Sequence, residues 1–353
     1  MSERLAFLEF FAGGGMARLG LTPDFNCVFA NDNDPTKSNI YRRNFGHNHF
    51  LEGDVNQLNV GDIPAADLAW ASSPCQDLSL AGNRSGLNST RSGAFWGFWR
   101  LMRDLGRHGR APLTIVIENV PGLLTSSQGR DFETLIAAMR EIGYSCRLFR
   151  LDAVHFVPQS RSRIFIVAVR LSEHLRLQRI ELPEPPIRQS VLKDILEHDL
   201  PPSAWRNDIE RDKLLFQMSP THLARVHEAQ NETGLNVGAV YRRVRNGIPR
   251  AEVRYDGIAG CIRTLKGGSS RQLILVSECG NLRLRGLTAT EVARLMGLPA
   301  DYRLPNSMTA ATNLAGDGVC VPLVRWFAEH ILTPLTMDIK AAHTAGSISN
   351  SAA

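Results

Sequence analysis

The stretch Phe7-Leu8-Glu9-Phe10-Phe11-Ala12-Gly13-Gly14-Gly15 decides how the chain is read. An apolar run passes into three glycines, and a helical pattern over Ala17–Leu21 follows at once. Glycine lets a backbone turn sharply and approach a ligand with no Cβ in between. Many nucleotide folds carry such a turn, and so do plain tight turns, so the neighbouring segments must decide. The next apolar run ends at Asp32, 17 residues after Gly15, where a carboxylate can accept hydrogen bonds from ribose hydroxyls. A third ends at Gly53-Asp54-Val55, where a carboxylate could take an adenine amino group. Three strand ends in series, two of them acidic, outline an adenosine pocket.

Outward from this turn, apolar runs alternate with helical patterns. The runs are Leu5–Phe11, Asn26–Asn31, Ala66–Ala71, Thr114–Glu118, Ser145–Leu151 and Ile164–Val169; the helices are Ala17–Leu21, Pro35–Phe45, Ala94–Leu105 and Asp131–Ile142. Alternation of this kind predicts an α/β fold with a mostly parallel sheet covered on both faces. The pattern breaks after Arg170, at a proline-rich Leu182–Pro186, and no clear period returns until Thr288–Met296 and Val319–Leu332. The expected organisation is therefore 1–170 for a catalytic and cofactor-binding domain, 171–282 for a middle region, 283–333 for a return to the first domain, and 334–353 for a disordered tail.

The 353 residues suffice for a large core plus a smaller domain. No apolar run approaches the roughly 20 residues that cross a bilayer, so no membrane association is expected. Six scattered cysteines without a C-x-x-C pair suit reduced thiols in a cytoplasm and give no metal site. The net charge of +5 is unevenly placed. Between Tyr241 and Arg271, eight basic residues face only Glu252 and Asp256, a local +6. A concentrated block suits a phosphate backbone better than a diffuse excess does, although charge runs are more commonly solvated surface.

Three further motifs carry chemistry. Ser73-Pro74-Cys75-Gln76 follows the fourth strand, so Cys75 lies on a loop at the same sheet edge, placed for nucleophilic work rather than as a small buried hydrophobe. Ile115-Val116-Ile117-Glu118-Asn119-Val120 is a buried strand ending in a carboxylate. Gln159-Ser160-Arg161-Ser162-Arg163-Ile164 carries two arginines at alternate positions, expected to face one side and grip one anion together, unless both are simply solvated.

In order, these segments resemble the DNA (cytosine-5)-methyltransferase family: F-x-G-x-G, the Pro-Cys-Gln loop, Glu-Asn-Val and Gln-x-Arg-x-Arg. Arg285-Gly286-Leu287-Thr288 through Glu291, Arg294-Leu295-Met296-Gly297-Leu298-Pro299 and Gly316-Asp317-Gly318-Val319 fit as well. Met16 stands where the family often has glycine, Asp317 replaces its usual asparagine, and Leu78 sits where an aromatic is frequent.

The resemblance implies a Rossmann-like S-adenosylmethionine-dependent sheet with a smaller, irregular target-recognition domain, the middle region. It implies Cys75 as nucleophile on cytosine carbon 6, Glu118 as the acid at N3, and Arg161 and Arg163 orienting Glu118 and the base. Phe7, Ala12, Gly13, Gly15, Asp32, Asn33, Asp54, Val55, Pro74, Asp317 and Val319 are the expected cofactor contacts. Double-stranded DNA is the expected partner of a monomer, met by Gln76, Ser79, Arg84 and Arg91 on the Asp77–Gly93 loop. Arg242, Arg243, Arg245, Thr264, Leu265 and Arg271 are the expected contacts from the middle region. The base must leave the stack before its ring faces can be reached. An RNA cytosine methyltransferase is a rival, but the Cys-Phe-Thr element of those relatives is absent. A catalytically dead regulator is another, but Pro-Cys and Glu-Asn-Val are intact. Whether a restriction endonuclease accompanies the enzyme stays open.

Overall fold

Each apolar run of the first half forms a strand. In the computed structural model, which describes residues 4–22, 24–73, 93–265 and 271–351, these are β1 (Leu5–Phe10), β2 (Phe25–Asp32), β3 (Phe50–Glu52), β4 (Leu68–Ala71), β5 (Thr114–Asn119), β6 (Tyr144–Asp152) and β7 (Ser162–Arg170). They build one seven-stranded sheet in the order β3-β2-β1-β4-β5-β7-β6. β3 through β5 pair in parallel, and β7 runs antiparallel to β5. Residues of β4 and β5 are buried without a break, as strands covered on both faces must be.

Helices α1 (Met16–Leu21), α2 (Pro35–Phe45), α3 (Ala94–Arg107) and α4 (Arg130–Glu141) join the strands. On one face, Phe95, Phe98, Trp99 and Met102 of α3 pack with Phe10, Ile115, Ile117 and Ile166, and Phe98 meets Phe10 edge-on at 5.1 Å. On the other, Phe327 packs against Phe165, the rings tilted with centroids 4.8 Å apart. The frayed tail expected after Thr333 is instead a helix, Thr333–Ser351. Its Leu335 and Ile339 are buried, and Thr336 Oγ1 lies 3.0 Å from Thr114 Oγ1. A local composition of small polar residues did not reveal that one stripe of them is apolar.

The chain divides into two compact units, Met1–Leu151 with Ser162–Glu184 and Leu323–Ala353, and Asp152–Arg161 with Pro185–Pro322. The second unit is not irregular. Strands β8 (Leu235–Arg245), β9 (Ile248–Arg254), β10 (Leu273–Glu278) and β11 (Asn281–Gly286) form an antiparallel sheet in the order β11-β10-β8-β9. Asn246-Gly247 links β8 to β9 and Cys279-Gly280 links β10 to β11, all four residues at positive φ. Two-residue loops with both residues left-handed match the twist of a hairpin, and Asn-Gly is its strongest sequence signal. Leu214, Met218 and Val226 cover one face of this sheet.

A buried ion pair anchors the unit. Arg285 Nη1 and Nη2 donate to Glu291 Oε2 and Oε1 at 2.7 and 2.6 Å, with both residues at most 1% exposed. The same carboxylate accepts from the Thr288 and Glu197 amides, each at 2.8 Å. Removing the carboxylate strands a buried guanidinium, so Glu291→Ala should destabilise this unit by about 3–5 kcal/mol. Trp205, the one tryptophan between residues 185 and 322, reports on it. Urea unfolding followed by its fluorescence, in a variant with the other tryptophans replaced by phenylalanine, should show that loss; under 1 kcal/mol contradicts it.

Candidate active site

β1 ends at Phe10, and the chain then turns through residues that few side chains tolerate. Phe11, half-buried, has φ 57°, a left-handed conformation that costs a non-glycine residue of order 1–3 kcal/mol. Gly13 and Gly15 are also left-handed. A Cβ on Gly15 would sit 2.3 Å from the Phe45 ring, whereas one on Gly13 would meet nothing within 4 Å. Gly15 is therefore required by packing, and Gly13 leaves open space beside the turn. Met16, where the family often has glycine, begins α1 and is buried at 2% exposure.

Asp32 holds this turn from the end of β2. Its Oδ2 accepts from the Gly13 amide at 2.8 Å and its Oδ1 from the Asp34 amide at 2.9 Å. Burial raises its pKa against those two hydrogen bonds. Asn33 beside it is exposed, and Ala12 is buried. Asp54 caps a 3-10 turn through the Asn56 amide at 2.9 Å, and Val55 is buried in the core next to it. Phe7 departs from its expected place. It lies within β1, fully buried and edge-on to Phe25, and Phe11 holds the strand end instead. The residue expected on the ligand thus belongs to the core, because β1 runs on to Phe10 and the turn opens only at Phe11, four residues beyond it.

At the end of β5, Glu118 and Arg163 form a salt bridge, Nε to Oε1 at 3.0 Å, at 5% and 8% exposure. The pairing is dictated by register: Glu118 lies opposite Phe165, so Arg163 is its diagonal neighbour on the same face. Asn119 donates to the Ser73 carbonyl at 3.0 Å, a tie that no motif reading singled out. Pro74, Cys75, Gln76, Ser79, Arg84 and Arg91 lie outside the described residues.

Arg161, expected to act together with Arg163, donates to backbone carbonyls. It precedes β7, where strand alternation has not begun, and its amide is held by Asp152 Oδ1 at 2.9 Å. Its guanidinium donates to the carbonyls of Ile262 and Gly316, at 2.7 and 2.8 Å, and to that of Gly318. Asp317, exposed, ends the helix Met308–Asp317, and Val319 is buried in the same unit.

The basic block falls on the β8–β9 hairpin. Arg243, Arg245 and Arg250 are exposed around the Asn246-Gly247 tip, while Arg242 is half-buried, its pKa lowered by burial and then by Arg206. Thr264 and Leu265 are half-buried, Leu265 donating its amide to Asn313 Oδ1 at 2.7 Å. Arg271 is exposed beside Thr309. Among the described residues, no cluster of His, Cys, Asp or Glu could hold a metal ion, the cysteines are free, and no helix is long and apolar enough to cross a membrane.

A parallel sheet with its acidic and glycine-rich elements at one edge is the architecture of the Rossmann-like methyltransferases. The family model for C-5 cytosine-specific DNA methylase matches residues 5–333, and the chain belongs to that family. It is a DNA (cytosine-5)-methyltransferase. Type II methyltransferase M.NgoBI of Neisseria gonorrhoeae is 29% identical over 90% of this chain and 90% of its own length. M.HhaI of Haemophilus parahaemolyticus, also a type II methyltransferase, is 28% identical over 93% and 94%. The fold is also that of the S. pombe Dnmt2 methyltransferase, TM-score 0.66 at 22% identity, covering 94% of this chain and 99% of that one. The methyltransferase EhMeth of Entamoeba histolytica gives 0.65 at 17%, covering 95% and 99%.

Beneath the glycine turn lies a buried polar cluster that the motifs did not announce. Glu9 accepts from the Arg18 amide at 3.1 Å and from the Tyr41 hydroxyl at 3.3 Å; the Arg18 guanidinium meets Tyr41 and His49, and Cys27 lies 3.6 Å from the Tyr41 hydroxyl. Burial, opposed by Arg18 and reinforced by Asp32, pushes the Glu9 carboxyl from 4.5 to about 7. The folded chain thus binds a proton there that the unfolded chain releases, so stability falls as pH rises from 4.5 to 7. Glu9→Gln imitates the protonated form and should remove that fall. Relative to wild type, the variant should gain up to about 3 kcal/mol between pH 4.5 and pH 8. A pH-independent difference in unfolding free energy would show that Glu9 does not titrate in this window.

Proposed function

We propose that the enzyme uses S-adenosylmethionine to methylate a flipped-out cytosine in a specific duplex sequence, with Cys75 as covalent nucleophile. The observation that carries this reading is the buried Glu118–Arg163 pair, one strand-end away from the Asn119–Ser73 tie that leads into Cys75. The cofactor fits the edge described above. Gly13 leaves space beside the turn, and the Asp32 carboxylate, with acceptor positions beyond its two backbone bonds, can take ribose hydroxyls. Phe11 offers an aromatic face there, and Ala12, Gly15, Asn33, Asp54 and Val55 complete the wall. Asp317 and Val319 are assigned to the cofactor on the resemblance alone. Bound there, S-adenosylmethionine supplies an electrophilic methyl group.

In the mechanism that follows, the Cys75 thiolate forms a bond to carbon 6 of the ring. Charge then moves toward N3, where the Glu118 carboxyl gives a proton; Arg163 holds that carboxyl in place. General acid assistance of this kind contributes about 10²–10⁴-fold. Carbon 5, now part of an enamine, is nucleophilic enough to be methylated. Loss of the carbon-5 proton, return of the N3 proton to Glu118 and elimination of Cys75 as thiolate restore the neutral aromatic ring.

We assign target recognition to the region 171–282, with the β8–β9 hairpin and Thr264, Leu265 and Arg271 toward the duplex. A two-stranded ribbon fits the major groove, and exposed arginines serve phosphates or guanine. The type II names of the relatives support a place in a restriction-modification system, and the free thiols support a cytoplasmic one.

Duplex DNA with 5-fluorocytosine at the target should trap a covalent adduct that survives denaturing electrophoresis, because fluorine cannot leave as a cation. Cys75→Ser should abolish it and Glu118→Ala should slow it severely. If RNA forms the adduct and duplex DNA does not, the substrate reading is wrong. Arg243→Ala and Arg245→Ala should each weaken DNA binding and lower the slope of log K against log salt by about 1. An unchanged slope would remove the hairpin from the interface.

A further inference from the structure

Arg161 is 1% exposed, and its guanidinium is shared between two separate segments of the second unit. Nη1 donates to the Ile262 carbonyl at 2.7 Å. Nη2 donates to the Gly316 carbonyl at 2.8 Å and to that of Gly318, so one charged donor bridges the carbonyls on either side of Asp317. Gln159, fully buried two residues earlier, accepts from the Ile262 amide at 2.9 Å and donates to the Leu295 carbonyl at 2.7 Å. The same two segments also approach closely around Gly316 and Asn313. A Cβ on Gly316 would lie 2.4 Å from the Thr264 amide nitrogen, and Leu265 donates to Asn313 Oδ1 at 2.7 Å.

We infer that Arg161 is a positioning residue that makes residues 262–265 and 316–319 move as one, coupling the segment that meets DNA to the segment that meets the cofactor. The inference rests on the assignments of Thr264–Leu265 and of Asp317 and Val319 proposed above. Its physical basis is the fate of a buried charge. At 1% exposure these carbonyl dipoles stand in for solvent around the guanidinium, and displacing either segment by an ångström would break the hydrogen bonds it makes there. A planar guanidinium can serve both segments at fixed angles; an ammonium on a flexible stem cannot. A ligand that orders one segment therefore orders the other, and by linkage each must raise the affinity of the other by the same factor.

The test measures DNA affinity with and without S-adenosylhomocysteine, which cannot react, by fluorescence anisotropy on a duplex carrying the sequence found methylated in cells expressing the chain. In the wild type, S-adenosylhomocysteine should tighten DNA binding by roughly 5–150-fold, the usual span of such couplings. Arg161→Lys should bring the factor to within about twofold of unity, while the affinity for S-adenosylhomocysteine alone stays within about threefold. A purely structural role would instead lower both affinities together and leave their ratio intact. Should Arg161→Lys fail to give a cooperative thermal transition, Asn313→Ala, which cuts the parallel link at Leu265, must lower the factor. A coupling factor unchanged in the folded variants, or absent from the wild type, overturns the inference. Asp317→Ala separates the two claims. Unchanged S-adenosylhomocysteine affinity in that variant refutes the cofactor assignment, whereas a weakened one with Arg161 coupling intact refutes only the role of Arg161.

Discussion

Parallel pairing is the constraint on which the first unit depends. Strands that run the same way end on the same side, so β1, β2, β3, β4 and β5 deliver Phe10, Asp32, Glu52, Ala71 and Asn119 to one edge. The glycine turn, Asp54, Ser73 and the Glu118–Arg163 pair follow or close those strands, and none of them is near another in sequence. The edge is also internally tied. Asp32 clamps the Gly13 amide and Asn119 clamps the Ser73 carbonyl. The groups assigned to the cofactor and to the reaction are thus held by the turns they serve, which limits how far a ligand must reorganise them.

Three buried arginines answer the cost of burying charge in three ways. Arg285 meets a carboxylate with both its terminal nitrogens and fastens a helix N-terminus to a sheet. Arg163 meets one carboxylate oxygen through Nε and holds Glu118 in place at the strand end. Arg161 meets carbonyls of separate segments and joins them. The residue type is the same, but the partners decide whether the charge braces a helix against a sheet, fixes a strand-end carboxylate or ties two segments together.

The second unit shows how a small sheet can lie below the noise of its sequence. β8 is apolar at its start and arginine-rich at its end: Val237–Val240 are buried, and Arg243–Arg245 lie in the exposed half of the hairpin. Averaged together, the two halves show no period. Asn246-Gly247 was the readable signal, because only residues at ease with positive φ close a two-residue hairpin.

What the sequence determined by itself was local and ordered. Apolar runs of the right length gave the strands, the Pro35–Phe45 pattern gave α2, and Glu-Asn-Val and Pro-Cys-Gln in series gave the chemistry, because each depends on neighbours within a few residues. Tertiary structure decided what depends on register and on distant partners. It put Phe7 in the core and Phe11 at the turn, sent Arg161 to Ile262 and Gly316 while Arg163 went to Glu118, and turned a small-residue tail into a helix against Thr114. Two arginines two residues apart look equivalent along a chain. They part company because the strand begins between them, and hydrogen bonds to segments about a hundred or more residues away set the direction of the first.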